Sequence, residues 1–317
     1  MTATQYDVAR RTGLSQATIS RALRGDPSVT DATRERIMEA CAAVGYRPSV
    51  GARLLAEGRR GVIGISLSRD ALPTDRYVSL LHQALLEALD ASGRGVVLLP
   101  AATLEAELAR VGAVILIGVA DGDPRIALCR RRGVPCVAIG YVADPDTFSV
   151  VPDDEGGARA VVRHVHRLGR RRLAVLSSAG PDEPLDIRAL VAREEAARLG
   201  LGFTHLSAPR DATHTLAGYR AILRSGAALD GCDALFCETD EYALGALAAL
   251  RDAGIGVPSR ITVAGFDDLP GMAERLTTIR QSFPGIAQAA LRLRDEAVAG
   301  GPARKVVVPV ELRIRET

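Results

Sequence analysis

The chain has 317 residues and a net charge of +2 at neutral pH, and 47% of its residues are hydrophobic and 25% charged. This composition excludes disordered and fibrous proteins, and the length exceeds one ordinary domain, so two or three domains are expected. Uncharged apolar runs such as residues 111–120 are too short to span a bilayer. Because the first residues also lack the pattern of a secretory signal, we expect a cytoplasmic protein.

The excess positive charge lies at the amino terminus. Residues 1–60 contain ten arginines and six acidic residues, a net charge of +4, which leaves 30 basic and 32 acidic residues, a net −2, for the rest of the chain. A basic segment of this kind favours nucleic-acid binding.

Three short helices are predicted in this basic segment. Thr4 is a suitable amino-terminal cap for a helix over 6–11, Gly13 ends that helix, and Ser15 caps a second helix over 16–23. A third helix is expected after Thr30, because apolar residues recur on one helical face at positions 37, 40, 41 and 44. Three helices with a tight first turn are typical of helix-turn-helix domains.

From residue 61 onward, apolar runs alternate with amphipathic stretches. This alternation predicts parallel β-sheets with crossover helices, and about 250 residues of it indicate two such units with a ligand between them. The predicted strands are 62–66, 95–99, 113–117, 136–139, 173–176, 234–237, 262–265 and 306–310, and the predicted helices are 77–91, 157–168, 186–199, 216–225, 242–253 and 285–299.

Several motifs, in one consistent order, resemble those of the LacI/GalR family of bacterial transcription regulators. They are YDVA at 6–9, TGLS at 12–15, TISRAL at 18–23, RPS at 47–49, ARLLA at 52–56, DD at 153–154, GA at 157–158, GRRRLA at 169–174, GFDD at 265–268 and LTTIRQ at 276–281.

The resemblance implies an N-terminal all-α helix-turn-helix head (1–46) and a hinge helix with linker (47–60). An α/β periplasmic-binding-protein-like sensor of two doubly wound parallel-sheet subdomains would follow at 61–317, divided into 61–152 plus 283–309 and 153–282 plus 310–317. The implied protein is a homodimeric repressor that binds double-stranded operator DNA. A small-molecule effector, with a sugar as the leading candidate, would release it.

The second helix presents polar side chains that suit the major groove. By resemblance, Gln16 and Ala17 choose the bases: Gln16 suits adenine, and Ala17 offers only apolar contact to a thymine methyl group. Thr18, Ser20, Arg24 and the Ser15 amide suit phosphates. The full predicted DNA-binding set is Thr4, Tyr6, Ser15, Gln16, Ala17, Thr18, Ser20, Arg21, Arg24 and Leu55.

The segment from Pro48 to Ala56 is too short to form a stable helix alone and is expected to order on DNA. The resemblance implies that Leu55 wedges into the minor groove at the operator centre. Ser49 replaces the usual Asn of the family, and Gly51 lowers helix propensity by about 1 kcal/mol. A plain linker is the alternative.

The ligand site is also implied by resemblance. Arg188 would bridge ligand hydroxyl groups and Asp267 would accept hydrogen bonds from them, an arrangement that suits a polyol. The full predicted set is Ser68, Leu72, Arg188, Thr239, Asp240, Asp267, Gln281 and Phe283. Thr239 replaces the family's Asn, and Gly156 and Thr213 stand where acidic and aromatic residues are common, so the identity of the sugar stays open.

No catalytic, metal or cofactor site is predicted. The five cysteines have no paired spacing, which favours buried reduced thiols, and the five histidines are scattered. Nucleotide-binding and nucleophile motifs are absent from the sequence.

Three alternatives stay open. A transport-type binding protein would share the sensor fold but lack the head, and a sugar enzyme is compatible with a doubly wound scaffold. A corepressor-dependent repressor or an activator would use the same residues as an inducible repressor.

Overall fold

The computed structural model describes residues 4–23, 28–44, 46, 62–68, 76–180, 183, 185–209 and 213–317. The predicted hinge segment and the site residues Arg24, Leu55 and Leu72 lie outside the described residues. Within the described part of the chain, no helix is long and apolar enough to cross a membrane.

The head consists of the three predicted helices, α1 (Gln5–Thr12), α2 (Gln16–Leu23) and α3 (Asp31–Val44). Gly13 ends α1 in the left-handed conformation with φ 69°, and its amide donates to the Ala9 carbonyl. Apolar side chains from all three helices and the loop before α3 form one small core of Val8, Ile19, Ala22, Val29, Ile37, Ala40 and Cys41.

A six-stranded parallel sheet forms the first lobe of the sensor, called the N-lobe here. Its strands, in spatial order, are β2 (Gly95–Leu98), β1 (Val62–Leu67), β3 (Ala113–Val119), β4 (Cys136–Gly140), β5 (Phe148–Pro152) and β11 (Lys305–Val308). Helices α4 (Arg76–Ala91) and α11 (Phe283–Val298) pack on one face, with Leu81 and Ile286 in the same core as Ile63. The other face carries α5 (Leu104–Glu107), a 3₁₀ turn (Leu108–Arg110) and α6 (Pro124–Arg131).

The second lobe, called the C-lobe, is built on a four-stranded parallel sheet. The spatial order is β7 (Gly202–Ser207), β6 (Arg172–Ser177), β8 (Ala234–Cys237) and β9 (Thr262–Ala264). Helices α7 (Asp154–Arg167) and α8 (Ile187–Arg198) cover one face, and α9 (His214–Ser225) and α10 (Asp240–Asp252) cover the other. The predicted pair of doubly wound sheets is therefore confirmed.

The chain passes between the lobes at three places. It leaves β5 for α7, leaves β10 (Thr278–Arg280) for α11, and leaves β11 for β12 (Glu311–Arg313). Strands β10 and β12 pair antiparallel beside the C-lobe, so two of the crossing segments are hydrogen-bonded to each other.

Local patterns found most elements but missed the strands β5, β7, β10 and β12 and the helices α5 and α6. Strand β7 reads GFTHLS and is half polar, because it lies at the edge of its sheet and its side chains are mostly half-buried. Helix α6 contains three arginines, and its apolar face is small. Of the cysteines predicted to be buried, Cys136 is only half-buried, at the start of β4.

Helices α9 and α10 cross with their backbones in direct contact. A Cβ added to Gly245 would lie 1.9 Å from the Thr215 carbonyl oxygen, and one added to Gly218 would lie 2.3 Å from that of Tyr242. Only glycine permits this approach, and the crossing sets the position of Asp240, the first residue of α10.

We expect Gly245→Ala to lower the free energy of unfolding by about 1–3 kcal/mol, since the new methyl group meets backbone that cannot rotate away. Gly202→Ala is the control, because its Cβ would meet no atom closer than 3.4 Å. Urea denaturation followed by circular dichroism measures both. Equal stability of the two variants would contradict the tight crossing.

Candidate functional site

Helix α2 turns a polar face to solvent. Ile19 and Ala22 are buried in the head core, whereas Gln16, Ala17 and Arg21 are exposed. Ser15 caps the helix, since its Oγ accepts the Thr18 amide at 3.1 Å and lies 2.9 Å from the Thr18 hydroxyl. The cap brings the predicted base-reading residues to the exposed first turn of a short, well-anchored helix.

Two arginines of α3 hold the ends of α1 and α2. The Arg34 guanidinium donates to the carbonyl oxygens of Ala22 at 3.0 Å and Val29 at 3.4 Å, and that of Arg36 donates to the Thr12 carbonyl. These bonds satisfy carbonyl groups at helix ends and fix the angle between the helices. Nothing in the sequence pattern distinguished these two arginines from surface charge.

The start of α1 is also rigid. Thr4 and Asp7 form a capping box, in which the Thr4 amide donates to the Asp7 carboxylate at 2.9 Å. These hydrogen bonds from Thr4 lower the pKa of Asp7. Tyr6 next to this cap is 65% exposed, so the predicted contact residues Thr4 and Tyr6 both face solvent.

In the sensor, Arg188 is the centre of a charged cluster at the carboxyl ends of the C-lobe strands. Its Nε donates to Asp154 at 2.7 Å, and its Nη1 donates to the Glu238 carbonyl at 2.6 Å and to Asp267 at 3.4 Å. The guanidinium lies 3.7 Å above the ring of Phe266, which fixes its plane. Although burial opposes the charge, the two carboxylates hold the pKa of Arg188 above its ordinary value.

Asp267 is held in a conformation that non-glycine residues rarely adopt, with φ 117°, and Asp268 follows at φ 54°. Asp267 is 3% exposed. Its carboxylate accepts from the Gln281 side-chain amide at 2.6 Å, and its backbone amide donates to the Ile279 carbonyl at 2.8 Å. Such conformations persist only where surrounding contacts enforce them, and they concentrate at functional sites. The structure thus brings together the predicted residues Arg188, Asp267 and Gln281.

A second pair of carboxyl groups adjoins this cluster. Glu238 is 7% exposed and accepts the Ser178 amide at 2.5 Å, and Asp186, the cap of α8, accepts the Ala189 amide at 3.0 Å. Burial, together with the neighbouring Asp186 carboxyl group, raises the pKa of Glu238 well above its ordinary value.

Thr239 and Asp240 serve the local structure. The Thr239 hydroxyl caps α10 by accepting the Tyr242 amide at 3.2 Å. Asp240 has no exposed surface, and its two oxygens accept the Leu269 amide at 2.8 Å and the Thr278 hydroxyl at 2.6 Å. The Asp240 carboxylate therefore anchors the loop that carries Asp267, and a contact between Asp240 and a ligand stays a prediction.

The N-lobe carries the remaining described residues of the predicted ligand set, Ser68 and Phe283. Ser68 follows β1 and lines a cavity of about 620 Å³ with Gly118 and Arg125. Phe283 begins α11, and its ring lies 5.3 Å from that of Tyr77. Both residues are half-buried, so each retains accessible surface.

Comparisons with known proteins give one consistent result. The model of the lacI family of bacterial regulatory proteins matches residues 4–49, and that of the periplasmic binding protein-like domain matches residues 162–317. The transcriptional regulator MalR of Streptomyces coelicolor is 31% identical over 96% of this chain and 92% of its own. This chain belongs to the LacI family.

Solved structures agree with the assignment to the LacI family. A complex of the transcriptional regulator CelR with cellobiose covers 99% of both chains at 25% identity, with a TM-score of 0.71. The Lac repressor dimer bound to operator and the anti-inducer ONPF covers 100% of this chain and 99% of its own at 25% identity, with a TM-score of 0.72. The protein is therefore a DNA-binding transcription regulator of the LacI family with a sensor of two parallel-sheet lobes.

Three residues of the LacI-family sensor cluster were missed as site residues from the sequence. Asp154 and Phe266 both stood in motifs of the family resemblance without an assigned role. Glu238 directly follows the apolar strand β8, and a charged residue at the carboxyl end of a parallel strand is the signal by which it could have been found.

The buried carboxyl group of Asp240 predicts a pH-dependent stability. Burial raises its pKa from 3.8 to about 7, despite the two hydrogen bonds that oppose the shift. As the pH rises from about 4 to about 7, the unfolded chain loses this proton while the folded chain keeps it, so stability falls over that window and levels off above it. Asp240→Asn keeps an oxygen that accepts from the Leu269 amide, and its NH₂ group replaces the oxygen that accepts from Thr278, whose hydroxyl can rotate to accept instead.

We therefore expect the free energy of unfolding of Asp240→Asn, relative to the parent, to increase across that window. Urea denaturation at a series of pH values measures it. A constant difference between the two proteins at all pH values would show that Asp240 is ionised in the fold.

Proposed function

We propose that this LacI-family regulator is a homodimeric repressor that binds a palindromic operator and is released when a sugar enters the cleft at Arg188. The observation that carries the proposal is the pairing of two preformed sites in one chain: the exposed polar face of α2 and the Arg188 cluster at the strand ends. An effector that tightened operator binding would instead make the protein a corepressor-dependent repressor.

The chemistry of the Arg188 cluster suits hydroxyl groups. Within the described residues, Nη2 of Arg188 has no acceptor, and the Asp154 and Asp267 carboxylates each use only one oxygen toward Arg188. A sugar hydroxyl both donates and accepts, so it is able to bridge the guanidinium and a carboxylate. The neighbouring structure of CelR with cellobiose supports a sugar.

A homodimer follows from the size of the reading element. One short helix reads only a few base pairs, and two-fold symmetry doubles the site. Val96 and Leu98 on the edge strand β2 are 40% and 53% exposed, which gives the N-lobe an apolar edge suited to a second copy. The Lac repressor neighbour is described as a dimer on its operator.

The head should separate base reading from phosphate contact. We expect Gln16→Ala to weaken binding to the preferred operator by about 1–3 kcal/mol and to relax preference at one symmetric pair of positions. Arg24→Ala should weaken binding to all duplexes alike and reduce the slope of log affinity against log salt by about 1. Fluorescence titration against operator and random duplex at several salt concentrations measures both.

The two head variants serve as controls for each other. Identical losses for Gln16→Ala and Arg24→Ala on every duplex would rule out the placement of α2 in the major groove. Binding of one chain per duplex at full affinity would rule out the dimer.

The hinge should act at the centre of the operator. We expect Leu55→Ala to preserve half-site preference and to reduce discrimination at the operator centre.

Effector response should depend on Arg188 and not on the rest of α8. We expect Arg188→Ala to lose about 1.5–3 kcal/mol of sugar affinity, roughly 10- to 100-fold, with operator affinity unchanged because the head is separate. Arg198→Ala, on the same helix with a 58% exposed side chain, is the control and should respond normally. Operator release by sugar is the readout, and joint loss of release and operator binding in a folded Arg188→Ala variant would refute the assignment.

A further inference from the structure

The ligand cleft of the proposed function carries more negative than positive charge. Four carboxyl groups surround one guanidinium: Asp154 and Asp267 contact Arg188 directly, Glu238 accepts from Arg188 through its backbone carbonyl, and Asp186 caps the helix that carries Arg188. Even with Glu238 protonated, the other three carboxylates and the one guanidinium give the cluster a net charge of about −2.

The other cationic groups near this cluster bind oxygen atoms outside it. Arg280 and Arg315 share one carboxylate, that of Asp268, at 2.5 and 2.6 Å. On the N-lobe side, Arg125 is 6% exposed and binds Asp123 at 2.7 Å as well as the carbonyl oxygens of Ser66 and Ile117. Arg76 donates to the Pro270 carbonyl at 2.9 Å and has no carboxylate partner among the described residues. None of these four guanidinium groups donates to the carboxyl groups around Arg188.

His205 does not add positive charge either. Its ring nitrogen lies 2.9 Å from the Ser177 hydroxyl, and burial lowers its pKa despite the attraction of Asp186. The ring is therefore neutral at neutral pH, and the negative charge near Asp186 is uncompensated.

An acceptor without a partner indicates what the cleft lacks. Gln281 is 4% exposed, and its amide nitrogen donates to Asp267 at 2.6 Å, but its buried Oε1 has no hydrogen-bond partner among the residues that the structure describes. An unpaired buried acceptor is costly and is relieved by a donor such as a hydroxyl group. A carboxylate or phosphate group has no proton to donate to it.

We infer, on the basis of the proposed function, that the cleft selects uncharged polyhydroxy ligands and rejects sugars that carry a carboxylate or a phosphate. A hydroxyl group donates to Gln281 or to a carboxylate and accepts from Arg188. An anionic group meets only the free Nη2 edge of Arg188, whose charge is already offset, and is repelled by the surrounding carboxylates in a site of low dielectric constant. The charge of the effector, not only its shape, therefore decides binding.

Matched pairs of sugars test the inference on the full-length protein. Maltitol, cellobiitol and lactitol differ from maltobionate, cellobionate and lactobionate only in a hydroxymethyl group that becomes a carboxylate. By calorimetric titration, we expect the alditol of whichever sugar binds to bind at least about tenfold more tightly than its acid, and the difference to shrink as salt rises. An acid that binds as tightly as its alditol overturns the inference.

A double variant identifies the groups responsible. Asp186→Asn with Glu238→Gln keeps the α8 cap and the shape of the pair but removes its charge, so we expect the ratio of alditol to acid affinity to fall by about threefold or more. Asp230→Asn is the matched control and should leave the ratio unchanged. Asp230 is exposed in the turn before β8, at the amino ends of the strands, whereas the cluster lies at their carboxyl ends. An unchanged ratio in the double variant overturns the inference.

The outcome also separates this inference from the proposed function. Binding and operator release by an acidic sugar alone would overturn the charge rule and leave the sugar-responsive regulator intact. Failure of every compound, neutral or acidic, to bind or to release operator would overturn the proposed sugar response itself.

Discussion

The Arg188 guanidinium, held between Asp154 and Asp267 over the ring of Phe266, is the interaction on which the sensor depends. Its partners come from the start of α7, from the residue after β8 and from the segment after β9, so this side chain of α8 ties together three other elements of the C-lobe. A buried cation without partners would cost several kcal/mol, which forces the carboxylates to stay in place. Within the described residues, the same arrangement leaves the Nη2 edge of the Arg188 guanidinium without an acceptor.

The loop of Asp267 shows how the fold maintains this arrangement. Two successive non-glycine residues have positive φ, a conformation that is unfavourable by itself. The buried Asp240 carboxylate holds the following amide of Leu269, and Arg280 and Arg315 hold Asp268 from the crossing strands. Because β10 and β12 lie on segments that connect the lobes, the loop of Asp267 is tied to the crossing between the lobes.

The head achieves rigidity by other means, since its core is small. Helix caps at Thr4 and Ser15 and the bonds from Arg34 and Arg36 to carbonyl groups fix three short helices that would be unstable alone. Rigid presentation matters because base edges are recognised by direct hydrogen bonds, which tolerate little displacement.

The sequence by itself determined the helices of the head, the alternation of strands and helices in the sensor, and the motifs that placed Arg188, Asp267 and Gln281 in one site. These follow from local capping, hydrophobic periodicity and resemblance. Only the tertiary structure decided that Asp240 anchors a loop, that Glu238 is buried beside the Arg188 cluster, and that β5 and β7 complete the sheets. Burial and pairing of charge depend on residues distant in the chain, here up to 79 positions apart for Arg188 and Asp267, and no local pattern encodes them.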